Sequence, residues 1–209
     1  MPGKPGADVF RKRMLDSREE RINDLIGLLS RLDSLHQKEL VIMGIGAGAY
    51  LLPEMSEQLS EVHLIMVNAG VYSPLHELEF MSTTDSLAPA NHEFLSYWNL
   101  DQASLSRKVE KIITEPYGID QLAPSSNRNW VSYYNSPVID DIYNLDQPLL
   151  WVTFSEYHLL SLQGKALASQ ILKKLPTLNY HLIEGSGTLS NDKEMNKLLQ
   201  YIRVFLQWH

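Results

Sequence analysis

Three glycines at alternate positions, Gly44, Gly46 and Gly48, follow the apolar run Leu40-Val-Ile-Met43 and precede a helix-compatible segment. A buried strand, a tight turn and a helix start, in that order, make two kinds of site. In one, glycines let backbone N–H groups approach a phosphate that the following helix N-terminus stabilises. In the other, the bend holds a single nucleophilic side chain at its apex, in the pattern G-x-S-x-G. Here the apex position is Gly46, so no hydroxyl stands there.

Other groups capable of chemistry are scattered. The seven histidines (36, 63, 76, 92, 158, 181 and 209) do not form the H-x-x-x-H or H-E-x-x-H spacings that set two ligands on one helix face. His76-Glu77 and His92-Glu93 could meet as a metal site, but packing or surface histidines are the simpler reading, and no metal is expected. Ser73 before Pro74, and Ser155 beside Glu156 and His158, are the local groups that suggest a hydrolytic site away from the glycine turn. Neighbours in sequence point in different directions, which weakens the second group. Trp98, Trp130, Tyr133, Tyr134 and Tyr143 form an aromatic set with polar tips, the composition of an interface hot spot. A small core of their own explains the same residues equally well.

Bulk composition narrows the class. The 209 residues suffice for one sizeable domain, with 44% hydrophobic and 21% charged residues as in ordinary globular proteins. Acidic side chains outnumber basic ones 25 to 18, a net charge of -7 that argues against a nucleic-acid surface. The absence of cysteine excludes disulfides, thiolate metal sites and a cysteine nucleophile. No apolar run approaches ~20 residues, and Met1-Pro-Gly-Lys-Pro-Gly6 lacks the apolar centre of a signal peptide. A cytoplasmic chain without a membrane span is expected.

The elements that must position these groups follow in order. Ser17 and Glu20 have capping-box spacing. Ile22, Leu25, Ile26, Leu29, Leu32 and His36 then recur on one helical face, with Arg18, Glu19, Arg21 and Asp24 turned to water. Arg11-Lys-Arg13 reads as a solvated helix face rather than a docking patch. Strand one covers residues 40–43. A helix over 49–59 contains Pro53, which either kinks it or occupies its first turn after a longer loop. Strand two covers 62–67 and ends at Asn68-Ala-Gly70, completing a βαβ unit that is parallel and right-handed. From 71 to 147 the period is lost, apart from a short helix at 93–98 and an amphipathic one through Leu105, Val109, Ile112 and Ile113 behind Asp101 and Ser104. Strand three is 149–153, then a helix at 159–175 and strand four at 180–183. A closing helix from near Asn191 buries Met195, Leu198, Leu199, Ile202 and Phe205 or Leu206.

Two alternating strand and helix blocks around an insertion make a single α/β domain. The sheet is mostly parallel, with about four core strands flanked by helices, and the lid-like insertion spans about 71–147. The insertion leaves the C-terminal end of strand two, the side on which such sheets bind ligands.

A dinucleotide-binding turn would use Gly44, Gly46 and Ala49 as G-x-G-x-x-A and an acidic residue at the tip of strand two for the ribose, where Asn68 stands instead. Residues 44–51, Gly-Ile-Gly-Ala-Gly-Ala-Tyr-Leu, also resemble the nucleophile elbow and following helix of α/β-hydrolases. Residues 62–70 resemble that family's next strand with its Val-Asn ending. Residues 148–153 look like the strand before the catalytic acid, and 175–188 like the segment that normally ends in glycine-small-glycine-histidine. The resemblance covers roughly 17–75 and 148–208. It implies the C-terminal half of an α/β-hydrolase, with the insertion at the lid position.

Carried over residue by residue, the resemblance puts the nucleophile position at Gly46, the acid position at or beside Tyr157 and the histidine position at Thr188. Acyl transfer needs a hydroxyl, an imidazole to take its proton and a carboxylate to orient the imidazole. Glu156 could replace the acid, but three substitutions together imply a pseudoenzyme. The resemblance also implies about eight strands, and those before the elbow strand, with the oxyanion loop, do not fit ahead of Leu40. Strand one is then an apolar sheet edge, which proteins cover or blunt. Cover would come from residues 130–134, from self-association or from a partner polypeptide.

The expected function is a non-catalytic protein-interaction adaptor or assembly subunit without a cofactor. It would form a hetero-complex or self-associate through the sheet edge or the aromatic insertion, as a bacterial secretion adaptor or chaperone would. The alternatives are an atypical serine hydrolase and a small-molecule or nucleotide binder at residues 44–48.

Overall fold

The computed structural model describes residues 17–31, 40–59, 61–70, 72–83, 100–118, 121–122, 125–135, 138–155, 175, 178–185, 189 and 191–208. In chain order the elements are α1 (Arg18–Leu29), β1 (Leu40–Ile45), a 3-10 turn (Gly46–Leu51), α2 (Leu52–Ser56), β2 (Val62–Val67), α3 (Pro74–Thr83) and α4 (Gln102–Thr114). After them come β3 (Gln121–Leu122), β4 (Ser125–Ser126), α5 (Asn127–Tyr134), α6 (Val138–Tyr143), β5 (Leu149–Phe154), β6 (Leu178–Ile183) and α7 (Asp192–Trp208).

Ser17 caps α1 as its spacing predicts. Its Oγ accepts the Glu20 N–H, and Glu20 accepts the Ser17 N–H at 2.7 Å. Ile22 is buried, with Leu25, Ile26 and Leu29 packed beside it. Arg18 departs from the reading that turned it to water: it is 2% exposed. Its Nη2 donates to Asp141 Oδ2 at 2.5 Å and lies 3.1 Å from Glu54 Oε2. Partners far along the chain pull this cation inward, and no local periodicity contains them. Leu32 and His36 lie outside the described residues.

The sheet runs β1-β2-β5-β6, all parallel, with Leu40 opposite Val62 and Leu64 opposite Leu149. β2 has the predicted bounds, while β1, β5 and β6 extend beyond theirs. β2 and β5 are buried along their whole length, as central parallel strands covered on both faces should be. Alternation sorts their side chains into two cores. Val62, Leu64, Met66, Leu149 and Trp151 meet α1, the 3-10 turn and α2 on one face. Ile65, Val67, Leu150, Val152 and Phe154 meet Leu198 and Phe205 of α7 on the other.

The closing helix settles between the two alternatives for its last contact: Phe205 is buried and Leu206 is not. Leu199, expected inside, is 52% exposed, because α7 presents Leu198, Tyr201, Ile202 and Phe205 to the sheet. Pro53 resolves in favour of a longer entry. The chain after the glycines winds as a 3-10 turn, and the α-helix begins only at Leu52, with Pro53 in its first turn where no N–H is missed.

The insertion, expected over about 71–147 as helical and irregular, is mainly helical among its described positions. Asp101 caps α4 by accepting the Ser104 N–H at 2.6 Å. Leu105, Val109 and Ile112 then pack with Leu75 and Leu78 of α3 into a small separate core. α5 and α6 instead carry Tyr133, Val138 and Ile142 into the main core. The predicted helices at 93–98 and 159–175 fall outside the described residues, apart from Leu175. No helix among the described residues is long and apolar enough to cross a membrane.

Candidate functional site

The glycine turn has the conformation of an elbow. Gly46 takes φ +53 at its apex, and a Cβ there would have nothing within 4 Å. Gly44 has the opposite constraint. A Cβ on it would sit 2.6 Å from the Ala49 Cα, so its lack of a side chain lets the strand and the turn touch. Gly48 has room. The backbone passes directly from β1 into the 3-10 turn, and the residue at the bend brings no reactive group.

The neighbouring strand end is tied down by its own polar groups. Asn68 has φ +53, a region Asn tolerates. Its N–H donates to the Val152 carbonyl at 2.9 Å, and its Oδ1 accepts the Phe154 N–H at 3.1 Å. The Trp151 indole N–H donates to the Ala69 carbonyl at 3.0 Å, and the Tyr50 hydroxyl accepts the Gly70 N–H at 2.8 Å. Asn68, which stands where an acidic residue would hold a ribose, helps close β2 onto β5, and the glycines lead into a 3-10 turn.

Ser73 and His76 come together at the start of α3. The Ser73 Oγ accepts the His76 backbone N–H at 3.3 Å and lies 2.8 Å from His76 Nδ1. The hydroxyl has a proton to give and a second lone pair, so the histidine tautomer decides which of the two donates across this contact. The imidazole stacks on Tyr134 with ring centres 4.0 Å apart. Burial holds its pKa below the ordinary histidine value, and the Glu79 carboxylate pulls weakly the other way. Tyr134 in turn donates to Glu79 Oε2 at 3.3 Å. The distance is that of a nucleophile and its base. Yet Ser73 is fully buried, and its second bond is that of a helix cap.

Ser155 is held at the end of β5. Its N–H donates to the Ile183 carbonyl at 2.8 Å, and its Oγ accepts the Gly185 N–H at 3.2 Å. It lines a cleft of about 350 Å³ with Glu184, Lys197, Gln200 and Tyr201. Glu156, Tyr157, His158 and Thr188 lie outside the described residues, as do His92, Glu93 and Trp98. Among the described residues no group of three histidine or acidic side chains could hold a metal.

The aromatic set divides. Tyr133 is 4% exposed and meets Tyr50 edge-on at 6.4 Å, inside the main core. Trp130 and Tyr134 pack on the small core around Leu105, and Tyr143 packs on the main one. Sequence reasoning missed the Arg18, Glu54 and Asp141 cluster, which joins α1, α2 and α6 behind the elbow. The only local signal was an arginine directly after a capping serine.

No protein-family model and no curated protein matches the chain. Solved structures do match. Rv0554 from Mycobacterium tuberculosis is 14% identical with a TM-score of 0.56, over 92% of this chain and 73% of that one. A lipase in its open form is 16% identical with a TM-score of 0.57, over 91% and 72%. MGS-M2, an α/β hydrolase enzyme from a Medee basin deep-sea metagenome library, is 16% identical with a TM-score of 0.53, over 91% and 72%. Likeness of this extent at such low identity is a likeness of fold: the chain is α/β-hydrolase-like.

Proposed function

We propose that this chain is a non-catalytic member of the α/β-hydrolase-like fold that works as a protein-interaction adaptor or assembly subunit. One observation carries the reading: at the strand-to-helix turn where the resemblance puts a nucleophile, the residue with positive φ is Gly46. Without a hydroxyl, acyl transfer at the elbow has no atom to form the covalent bond. What the neighbourhood does offer is a β1 edge with three outward apolar residues, Val41, Met43 and Ile45. Exposed apolar stripes of this kind mark contact surfaces.

The Ser73 and His76 contact favours a second reading, an atypical serine hydrolase, and the structural neighbours include hydrolases. The two readings separate with an alkyl fluorophosphonate probe and short-chain ester substrates. The adaptor reading expects no covalent label and no ester hydrolysis above the buffer rate, together with stoichiometric partners in a pulldown from the native host. A label mapping to Ser73 or Ser155, with turnover lost in Ser73→Ala or Ser155→Ala, replaces it with the hydrolase reading.

A further inference from the structure

We propose that the cleft beyond the C-terminal ends of β5 and β6 binds a small zwitterion, a free α-amino acid with an apolar side chain, its carboxylate toward Lys197 and its ammonium toward Glu184. Open parallel sheets bind ligands at this end of their strands. Phe154 and Ile183 are register partners at the last rung, so Ser155 and Glu184 leave the sheet side by side. Lys197, Gln200 and Tyr201 stand at i, i+3 and i+4 of α7 and share the helix face that lines the cleft. At about 350 Å³ the space is near the lower end of the roughly 300–1,000 Å³ of small-molecule sites, which suits a ligand on the scale of one amino acid.

The walls of the cleft are held by their own contacts. Ser155 Oγ accepts the Gly185 N–H at 3.2 Å, and the buried Glu194 carboxylate lies directly under Gly185, where a Cβ would collide with Oε1. The Tyr201 ring stacks on His181 with centres 4.0 Å apart. The two charges are not spent in this way. Among the described residues, Glu184 and Lys197 line the same cleft, yet they form no ion pair with each other or with any other group. Opposite charges that share a concave surface without pairing match a ligand that carries both signs. Ser155 keeps its hydroxyl proton to give and the Gln200 amide has two, so a carboxylate beside Lys197 finds neutral donors as well. Leu182, Ile183 and the Tyr201 ring supply the apolar lining. A carboxylate and an ammonium on one carbon, with an apolar group beyond them, use all three parts of the cleft. The site lies apart from the glycine turn and stands independently of the interaction reading.

Isothermal titration calorimetry of the full chain with L-leucine and L-phenylalanine tests the proposal. N-acetyl-L-leucine, which lacks the ammonium, and L-leucinamide, which lacks the carboxylate, serve as probes with one charge removed. The free amino acids should bind, and each blocked form should bind at least about tenfold more weakly, the loss expected for one charge-assisted contact. Lys197→Gln and Glu184→Gln should each weaken L-leucine by a similar factor with an unchanged circular dichroism spectrum. Lys193→Gln, at an exposed position one turn earlier on α7, should leave binding as it was. The blocked probes need no variant, so a destabilised Lys197→Gln chain leaves the test intact. Absence of heat with both amino acids at millimolar concentration overturns the proposal, as does binding that survives both cleft variants or falls equally in Lys193→Gln. N-acetyl-L-leucine bound as tightly as L-leucine overturns the zwitterion as ligand.

Discussion

Arg18 and Asp141 lie 123 positions apart in the chain and 2.5 Å apart in the fold, with Glu54 completing the cluster at 3.1 Å. The cation is 2% exposed, whereas the two carboxylates keep part of their surface in water. Burial raises the Glu54 pKa, and Arg18 opposes that rise. Arg18→Ala should therefore cost about 2–3 kcal/mol, near the low end for a broken buried pair because the acids left behind can still be solvated. Combining it with Glu54→Gln and Asp141→Asn should recover part of the loss. Urea midpoints for the single and triple variants check this; a single variant as stable as the parent removes the cluster from the account.

The three glycines should rank in a fixed order. Gly44→Ala drives a Cβ to 2.6 Å from backbone and should cost about 2–3 kcal/mol. Gly46→Ala meets no atom but sits at φ +53, a penalty of about 1 kcal/mol. Gly48→Ala has space and an unremarkable φ, so it should stay within about 0.5 kcal/mol. Thermal unfolding of the three variants reads the order directly, and a Gly46 variant less stable than the Gly44 one contradicts it.

Alanine at the two adjacent tyrosines should give unequal results. Tyr133 fills the core against Tyr50, so Tyr133→Ala should cost about 3–4 kcal/mol. Tyr134→Ala gives up a stack on His76 and a bond to Glu79 at a half-exposed position, about 1–2 kcal/mol. Equal melting temperatures would contradict this division. If binding to a captured partner falls in the Tyr134 variant by more than its stability does, Tyr134 belongs to the contact surface.

Acid should weaken the fold through two histidines. Burial depresses the folded pKa of both His76 and His181. Above the unfolded value of about 6.5 their contribution is fully present. Between the unfolded value and the lower folded one, the unfolded chain binds more protons, so stability falls as pH drops through that window. Glu54, shifted upward by burial, acts in the opposite sense, gaining stability on acidification between its unfolded and raised values. Urea midpoints from about pH 7.5 to about pH 5 should decline for the parent and flatten for His76→Gln with His181→Gln. An unchanged slope in the double variant assigns the effect elsewhere.

Local rules revealed most of the sheet. β2 was readable to its last residue because all six of its side chains are apolar or tolerated in a core and glycine and asparagine close it. The Ser17 and Asp101 caps were equally plain, since each is a bond between a side chain and a backbone three residues away. The tight turn after β1 was legible from its three glycines. The 3-10 winding before Leu52 was not, because propensity hardly separates it from an α-helix and the contact at Gly44 decides it. α5 was read only as aromatic composition, although Tyr133 belongs to the main core and Tyr134 to the small one. Arg18 was misread because burial of a cation depends on where its anions arrive.

The bond from the Trp151 indole to the Ala69 carbonyl also carries information about time. It closes a loop of 82 positions, and drawing such ends together costs on the order of 4 kcal/mol of chain entropy before β2 and β5 gain anything from meeting. Contacts that distant in sequence slow folding. Trp151 sits at that junction with no exposed surface, and with Trp98, Trp130 and Trp208 replaced by phenylalanine its fluorescence during refolding would act as a clock for the moment the two halves of the sheet become one.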